Sequence, residues 1–145
     1  MSEYAHVLLA VDFSPASTGV GRRAVQLSGL FNATLTLIHV VEYMPVDLSN
    51  EMLLPQAPEI DRQLIELAER RLKDLATSIG AEHSGRLVRQ GHTKREILRY
   101  AEENGVDLIV IGSHGREGMQ LLLGSTANAV LHGAPCDVLA VRVRD

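Results

Sequence analysis

The chain has 145 residues, of which 46% are hydrophobic, 22% charged and 3% aromatic, and this length and composition suit one domain over residues 1–145 with an aliphatic core. Its net charge of −4 excludes the broad basic surface that holds a nucleic-acid backbone, and its apolar runs are shorter than the roughly 18 residues that a membrane span requires. Because it has one cysteine, Cys136, and no leader pattern, we expect a cytoplasmic protein that binds neither nucleic acid nor membrane.

The first third of the chain predicts a strand, a helix and a second strand. The apolar run from His6 to Asp12 is typical of a strand covered on both faces. The "SPAS" segment that follows predicts a helix with Ser14 as its N-cap and Pro15 at its first position, ending near Asn32. "ATLTLIHVVE" predicts the second strand, and residues 43–58, with their prolines, predict a long irregular connection.

The middle of the chain predicts a long helix, an edge strand and a shorter helix. An amphipathic helix is expected from Glu59 to Ile79, closed by Gly80, with the "ERRLKD" run on a solvated face. Its apolar face is formed by Ile60, Leu64, Leu67, Leu72, Leu75 and Ile79. "EHSGRLVRQ" is more polar and predicts a strand at a sheet edge, while Thr93 and Glu96 have the spacing of a capping box for a helix that ends near Asn104.

The last third of the chain completes an alternating pattern of strands and helices. "VDLIVIG" predicts a central fourth strand, Ser125 or Thr126 caps a fourth helix, and "CDVLAVRVR" predicts a fifth strand. The pattern predicts an α/β fold, an open five-stranded parallel sheet in the order 3-2-1-4-5 with helices on both faces. Strands one and four are then neighbours, and ligands of such sheets bind in the crevice at their carboxyl ends.

The segment "GSHGREGMQLLLGST", residues 112–126, follows the fourth strand directly and has the features of a phosphate site. Gly112 and Gly115 lack a Cβ atom, so that backbone N–H groups can approach an anion closely. The "GST" triplet opens the next helix, whose first N–H groups attract anions, and Arg116 supplies a cation. The segment lacks the lysine of a Walker A loop and follows the wrong strand for a dinucleotide fingerprint.

Three segments together carry a resemblance to a known family. "HVLLAVDFSPAS", "LTLIHVVE" and "DLIVIGSHGREG", the last followed by "LLLGSTANAVLHGAPCDVLAV", resemble the universal stress protein family in its single-domain form, over essentially the whole chain. The resemblance implies a Rossmann-like fold of the adenine nucleotide alpha hydrolase type. In the ATP-binding branch of that family the glycine pattern is Gly-x2-Gly-x9-Gly-Ser/Thr.

Position by position, the resemblance implies a site for ATP or AMP. The implied site consists of the cradle Gly112, Gly115, Gly124 and Ser125, the neighbouring backbone of Ser113, His114 and Thr126, the strand-one residue Asp12 and the adenine contact Val40. A Mg²⁺ ion accompanying the phosphates is compatible with the sequence. The resemblance also implies a homodimer, and the last strand, from Asp137 to Val143, would offer a free sheet edge for it.

One departure from the family pattern keeps two other functions open. Eight residues, not nine, separate Gly115 from Gly124, and "AVDFSPAS" is similar to the branch that does not bind nucleotide. The leading interpretation is an adenine-nucleotide-binding module of the stress response. The alternatives are a nucleotide-free dimeric interaction protein and a weak ATP hydrolase, although the sequence shows no evident general base and no metal-binding carboxylate cluster.

Three single residues have a structural interpretation beside the functional one. Asp12 could be a turn residue or an N-cap rather than a ligand contact. His39 lies within a buried strand and is expected to be a hydrogen-bonded core histidine. Cys136 is expected to be a small apolar residue of the interior. We assign no catalytic residue and no protein-only metal site.

Overall fold

The structure, a computed structural model, describes residues 3–42, 57–114 and 123–143. Five strands alternate with four helices in this part of the chain. In chain order they are β1 His6–Ala10, α1 Ser17–Phe31, β2 Thr34–Val41, α2 Ala57–Ser78, β3 Gly85–Gln90, α3 Thr93–Glu103, β4 Leu108–Gly112, α4 Ser125–Gly133 and β5 Asp137–Val141. None of the described helices is both long and apolar enough to span a lipid bilayer.

The five strands form one parallel sheet in the order β3-β2-β1-β4-β5, which confirms the predicted fold. Leu9 of β1 pairs with Leu37 of β2 on one side and with Val110 of β4 on the other. All strands therefore end at the same edge of the sheet, and β1 and β4 are the neighbours between which the winding direction reverses.

The core has two layers, one on each face of the sheet. Alternating residues of β1 divide between them, since Val7 and Leu9 pack under α1 and α2 while Leu8 packs under α3 and α4, and each is at most 1% exposed. Leu72 of α2 belongs to the layer under α1 and α2, and Val130 of α4 belongs to the layer under α3 and α4. Strands buried on both faces explain the near-continuous apolar runs in the sequence.

Two helices end as the sequence predicts. Asn32 has the left-handed φ of 52° after α1, and the N–H of Ala33 donates to the carbonyl of Ser28 at 2.8 Å. Gly80 has a φ of 78° after α2. In the left-handed region Asn and Gly are the residues with the lowest steric cost, which is why they mark helix ends.

The prediction that Ser14 caps the first helix is wrong. β1 ends at Ala10, and α1 begins at Ser17 with Ala16 as an N-cap that makes no side-chain hydrogen bond. The cause lies in Asp12, whose Oδ1 accepts a hydrogen bond from the N–H of Ser14 at 2.9 Å. The N–H of Ser14 is therefore part of a turn. The helix begins at Ser17, two residues after Pro15, so the prediction that Pro15 is its first position is also wrong.

The predicted caps of the third and fourth helices are also wrong. The Thr93 hydroxyl donates to Glu42 Oε1 at 2.6 Å instead of capping α3. Glu96 forms an ion pair with Arg99, in which Glu96 Oε2 lies 3.3 Å from Arg99 Nη1. Neither residue of the expected capping box therefore caps the start of α3. In α4 the N-cap is Gly124, one residue before the two predicted hydroxyl residues.

α2 departs from its predicted apolar face in its first half. The helix begins at Ala57, inside the predicted connection, of which residues 43–56 lie outside the described ranges. Leu72 and Ile79 are buried, but Ile60, Leu64 and Leu67 are 47%, 40% and 44% exposed. A helix of 22 residues is longer than the strands it covers, so its first half extends past the ends of the strands.

Candidate functional site

A cleft of about 690 Å³ lies at the edge where the strands end. The ends of β1, β2 and β4, the middle of α2, and the starts of α3 and α4 form its walls. It lies across the junction of β1 and β4, as predicted for the crevice of this sheet order. The sequence thus located the position of the cleft.

The structure brings most of the predicted site residues together. The predicted residues that line the cleft are Asp12, Val40, Gly112, His114, Gly124, Ser125 and Thr126. Ser113 is buried and absent from the lining, its N–H donating to the Val141 carbonyl at 2.8 Å, so this N–H is not available to a ligand. The predicted residues Gly115 and Arg116 lie outside the described part of the chain.

The start of α4 presents backbone donors to the cleft. The first hydrogen bond of the helix runs from the Asn128 N–H to the Gly124 carbonyl at 2.9 Å. The N–H groups of Ser125, Thr126 and Ala127 precede that bond, all three residues line the cleft, and no side chain caps the end. Such a helix start carries a partial positive charge and accommodates an anion.

The backbone conformation does not explain why two glycines line the cleft. Gly112 and Gly124 both lie outside the left-handed region that glycine favours, and Gly124 has φ −59° and ψ 152°. A Cβ atom added to Gly112 would lie 3.4 Å from Val20 Cγ2, an ordinary contact. Neither the φ of these two residues nor the packing around Gly112 therefore requires glycine.

Asp12 is a turn residue, one of the interpretations considered from the sequence, and it also lines the cleft. Its Oδ1 accepts hydrogen bonds from the Ser14 N–H at 2.9 Å and from the Ser17 hydroxyl at 3.2 Å, next to the start of α1. Its side chain is nevertheless exposed at the wall of the cleft. The turn positions the carboxylate between the β2 side and the β4 side of the cleft.

His39 is a hydrogen-bonded histidine of the sheet, as predicted. Its Nδ1 donates to the Val11 carbonyl at 2.6 Å and so joins the ends of β1 and β2. The ring is half-buried, and the centroid of the Phe13 ring lies 4.2 Å from its own. Because this contact places Phe13 against the sheet, His39 supports the wall of the cleft.

The sequence analysis did not assign Phe13 or Arg71 to the site, although both line the cleft. Phe13 has a φ of 58°, in the left-handed region that bulky residues seldom adopt. The guanidinium carbon of Arg71 lies over its ring, 4.3 Å from the centroid, while the residue as a whole is exposed, as predicted for the charged residues of the "ERRLKD" run. A signal was present in the spacing of Leu64, Leu67 and Arg71, which share one face of α2 and all line the cleft.

The rim of the cleft holds a further polar pair, formed by Glu42 after β2 and Thr93 at the start of α3. Within the described residues no cluster of three histidine, cysteine or acidic side chains is placed to hold a metal ion. The walls therefore supply apolar contacts, two carboxylates and the donors of a helix start.

A family model matches residues 3–142 of the chain and bears the description Universal stress protein family. The chain belongs to the universal stress protein family. A relative from Coxiella burnetii, universal stress protein A homolog 2, is 41% identical over 145 residues. The alignment covers 99% of this chain and 99% of the relative. These matches confirm the resemblance that the three sequence segments carry.

Two solved structures of universal stress proteins have the same fold. Universal stress protein UspA from Lactobacillus plantarum is similar with a TM-score of 0.74 and 28% identity, over 97% of this chain and 98% of that one. A universal stress protein in complex with cAMP is similar with a TM-score of 0.68 and 27% identity, over 97% and 98% of the two chains.

Proposed function

We propose that this universal stress protein binds an adenine nucleotide, ATP or AMP, in the cleft at the strand ends. The start of α4 carries the proposal, because three consecutive residues that line the cleft have N–H groups that precede the first hydrogen bond of the helix. A structural relative at 27% identity has been solved with cAMP, which supports an adenine nucleotide as the ligand class.

The two ends of the cleft differ in the way that a nucleotide requires. At the β2 end the walls are mainly apolar, formed by Val40 and Val41 of β2 and by Leu64 and Leu67 of α2, with Glu42 and Thr93 at the rim. At the β4 end they are polar, with the "GST" triplet at the start of α4. We place the base at the apolar end and the phosphates at the polar end, with the ribose near Asp12, which lies between them because β1 separates β2 from β4.

A bound nucleotide would be a ligand that changes partner binding in a stress response in the cytoplasm, and we assign it no fast hydrolysis. No metal-binding cluster is present among the described residues, so any Mg²⁺ would be held mainly by phosphate oxygens and water. The weak-hydrolase alternative would need a residue that orients a water molecule.

The proposal is tested by analysing what the purified protein carries. The protein is denatured, and the released small molecules are identified by mass spectrometry. Calorimetric titration of nucleotide-free protein with ATP, AMP and GTP then measures affinity and stoichiometry. We expect one adenine nucleotide per chain, with weaker binding of GTP.

Two results would contradict this assignment. If no nucleotide is released and neither ATP nor AMP produces binding heat, the nucleotide-free interaction protein becomes the better description. If ATP is turned over at a rate that persists through further purification and is lost in Gly124→Val, the protein is a hydrolase.

We also propose that two copies pair through the C-terminal strand, from Asp137 to Val143. β5 pairs only with β4 among the described strands, so its other side is a sheet edge. The Val141 carbonyl accepts from Ser113 on the β4 side. Since N–H and C=O directions alternate along a strand, those of Ala140 point outward.

The pairing is tested by light scattering coupled to size-exclusion chromatography. Ala140→Pro removes an outward N–H and leaves the bonds to β4 in place, so it should yield a monomer with an unchanged circular dichroism spectrum. A dimer that persists in this variant would mean that another surface pairs the copies, and a monomeric parent protein would overturn the proposal.

A further inference from the structure

Three side chains form a column at one wall of the cleft, which we call the Arg71 column: Arg71, Phe13 and His39. The Arg71 guanidinium lies over the Phe13 ring, 4.3 Å from its centroid, and that centroid lies 4.2 Å from the centroid of the His39 ring. The His39 ring is fixed in turn by its 2.6 Å hydrogen bond to the Val11 carbonyl. The column therefore joins α2 to the ends of β1 and β2.

The backbone at the centre of the column is unusual. Phe13 has a φ of 58°, a conformation that costs a bulky residue stability and that persists only where the surroundings hold it. Left-handed residues of this kind cluster at ligand sites. The conformation places the ring between Arg71 and His39, at the wall of the cleft.

The column leaves hydrogen-bond donors of Arg71 unused. A guanidinium that covers an aromatic ring uses its flat face, while its five N–H groups point outward in the plane. Arg71 makes no ion pair or hydrogen bond with another residue of the described ranges. Within those ranges it is also the one lysine or arginine that lines the cleft.

The position of Arg71 assigns it to the base rather than to the phosphates. It shares the cleft-lining face of α2 with Leu64 and Leu67, at the apolar β2 end. The start of α4 lies at the opposite, β4 end, across β1. A planar donor group in an apolar wall is suited to ring nitrogens with lone pairs, which an adenine base presents on its edges.

We propose that Arg71 is a base-recognition residue, whose guanidinium, positioned over the Phe13 ring, donates hydrogen bonds to ring nitrogens of the adenine base. This inference rests on the proposed nucleotide function and adds a residue to its site. The competing explanations are that Arg71 only covers the Phe13 ring, or that it contacts the phosphates.

Calorimetric titration of Arg71→Met with adenosine and with ATP separates these explanations. Methionine is an unbranched, flexible side chain that can still pack against Phe13, but it removes every donor. We expect both ligands to bind about 10-fold more weakly or worse, by similar factors, as for the loss of a hydrogen bond to a charged group. Arg71→Lys should recover part of the loss.

The neighbouring arginine provides the matched control. Arg70 lies one position before Arg71 and lines a separate pocket between α2 and β3, so Arg70→Met should leave both affinities unchanged. Thermal unfolding of both variants confirms that each is folded at the temperature of the titration.

The outcomes are distinct. Unchanged affinities in Arg71→Met, or a loss for ATP without a loss for adenosine, would overturn the base-recognition role while the nucleotide function stands. If the parent protein binds neither adenosine nor ATP, the proposed function itself fails, and the role of Arg71 fails with it.

Discussion

The carbonyl oxygen of Ser113 accepts a hydrogen bond from the N–H of Gly124 at 2.6 Å. This bond joins the end of β4 directly to the start of α4, across the intervening residues 115–122, which lie outside the described ranges. Both partners are backbone groups, so the closure does not depend on any side chain. The spacing that is one residue shorter than the family pattern therefore still brings the two sides of the glycine segment into contact.

We expect Gly124→Val to weaken ATP binding by at least about 10-fold, because a branched side chain at the start of α4 blocks the approach of the phosphates to the helix N–H groups. The backbone of Gly124, at φ −59° and ψ 152°, is one that valine adopts readily. Calorimetry should show that adenosine, which has no phosphates, is affected much less.

Gly29→Val is the matched control for this substitution. Gly29 is an exposed glycine of α1, and a Cβ atom there would have no neighbour within 4 Å. Its affinity for ATP should equal that of the parent protein. Equal losses for ATP and adenosine in Gly124→Val would contradict a phosphate contact at α4.

Asp12→Ala should lower the free energy of unfolding by about 1 kcal/mol, the usual effect of losing a side-chain acceptor at a helix start. Asp12 accepts from the Ser14 N–H and the Ser17 hydroxyl, and the N-cap residue Ala16 supplies no side-chain bond of its own. Urea unfolding measures the change. Asp12→Asn keeps an acceptor oxygen and should lose less, so equal losses in the two variants would refute this role.

Leu72→Ala should lower the free energy of unfolding by about 2–5 kcal/mol, since it removes a buried side chain and leaves a cavity. Leu72 is 1% exposed, between α2 and the sheet, whereas Leu30 of α1 is 72% exposed. Leu30→Ala is the control and should change the unfolding free energy by less than about 0.5 kcal/mol. Similar values for the two variants, measured in urea, would show that α2 is not packed as described.

Tyr4 should ionise above its usual range in the folded protein. The hydrogen bond that its hydroxyl donates to Asp137 Oδ2, 2.7 Å long, is the main cause that raises the pKa of the phenol above 10.0. A raised folded-state pKa means that this contribution to stability is present below about pH 10, the pKa of an unfolded tyrosine, and is lost as pH rises through the folded value.

Titration of the tyrosinate absorbance measures this pKa. The chain has three tyrosines, so the difference between the parent protein and Tyr4→Phe isolates the signal of Tyr4. Asp137→Asn should lower the Tyr4 pKa, because it removes the negative charge that opposes ionisation. An identical titration in Asp137→Asn would exclude the pair in solution.

The sheet and the position of the cleft could be predicted because they depend on patterns that local sequence carries. Runs such as "VLLA" and "LIVI" are continuously apolar, so a strand formed by them is apolar on both faces. This pattern indicates an interior parallel strand, and it does not depend on which residues of other segments pack against the strand. The strand order then follows from connection handedness, and the order alone locates the crevice. The predicted site residues Gly112, Gly124, Ser125 and Thr126 line the cleft for the same reason.

The helix starts and the Arg71 column could not be predicted, because they depend on contacts between distant segments. Thr93 has the spacing of a cap, yet Glu42, 51 positions earlier, accepts its hydroxyl proton. Arg71 is one charge in a charged run, and only the left-handed backbone of Phe13 brings an aromatic ring beneath it. The residues around Thr93 and Arg71 in the sequence do not indicate that Glu42 and Phe13 will be their contacts in the fold.

The left-handed conformation of Phe13 has a consequence for the wider family. Glycine or asparagine would occupy this backbone at lower cost, so a sequence optimised for stability alone would not keep phenylalanine there. An aromatic residue directly after the aspartate that follows β1, together with an arginine on the cleft face of α2, is therefore a two-position signature that can be read from sequence. Family members could be sorted by this signature before any of them is purified, and nucleotide preferences compared between the two groups.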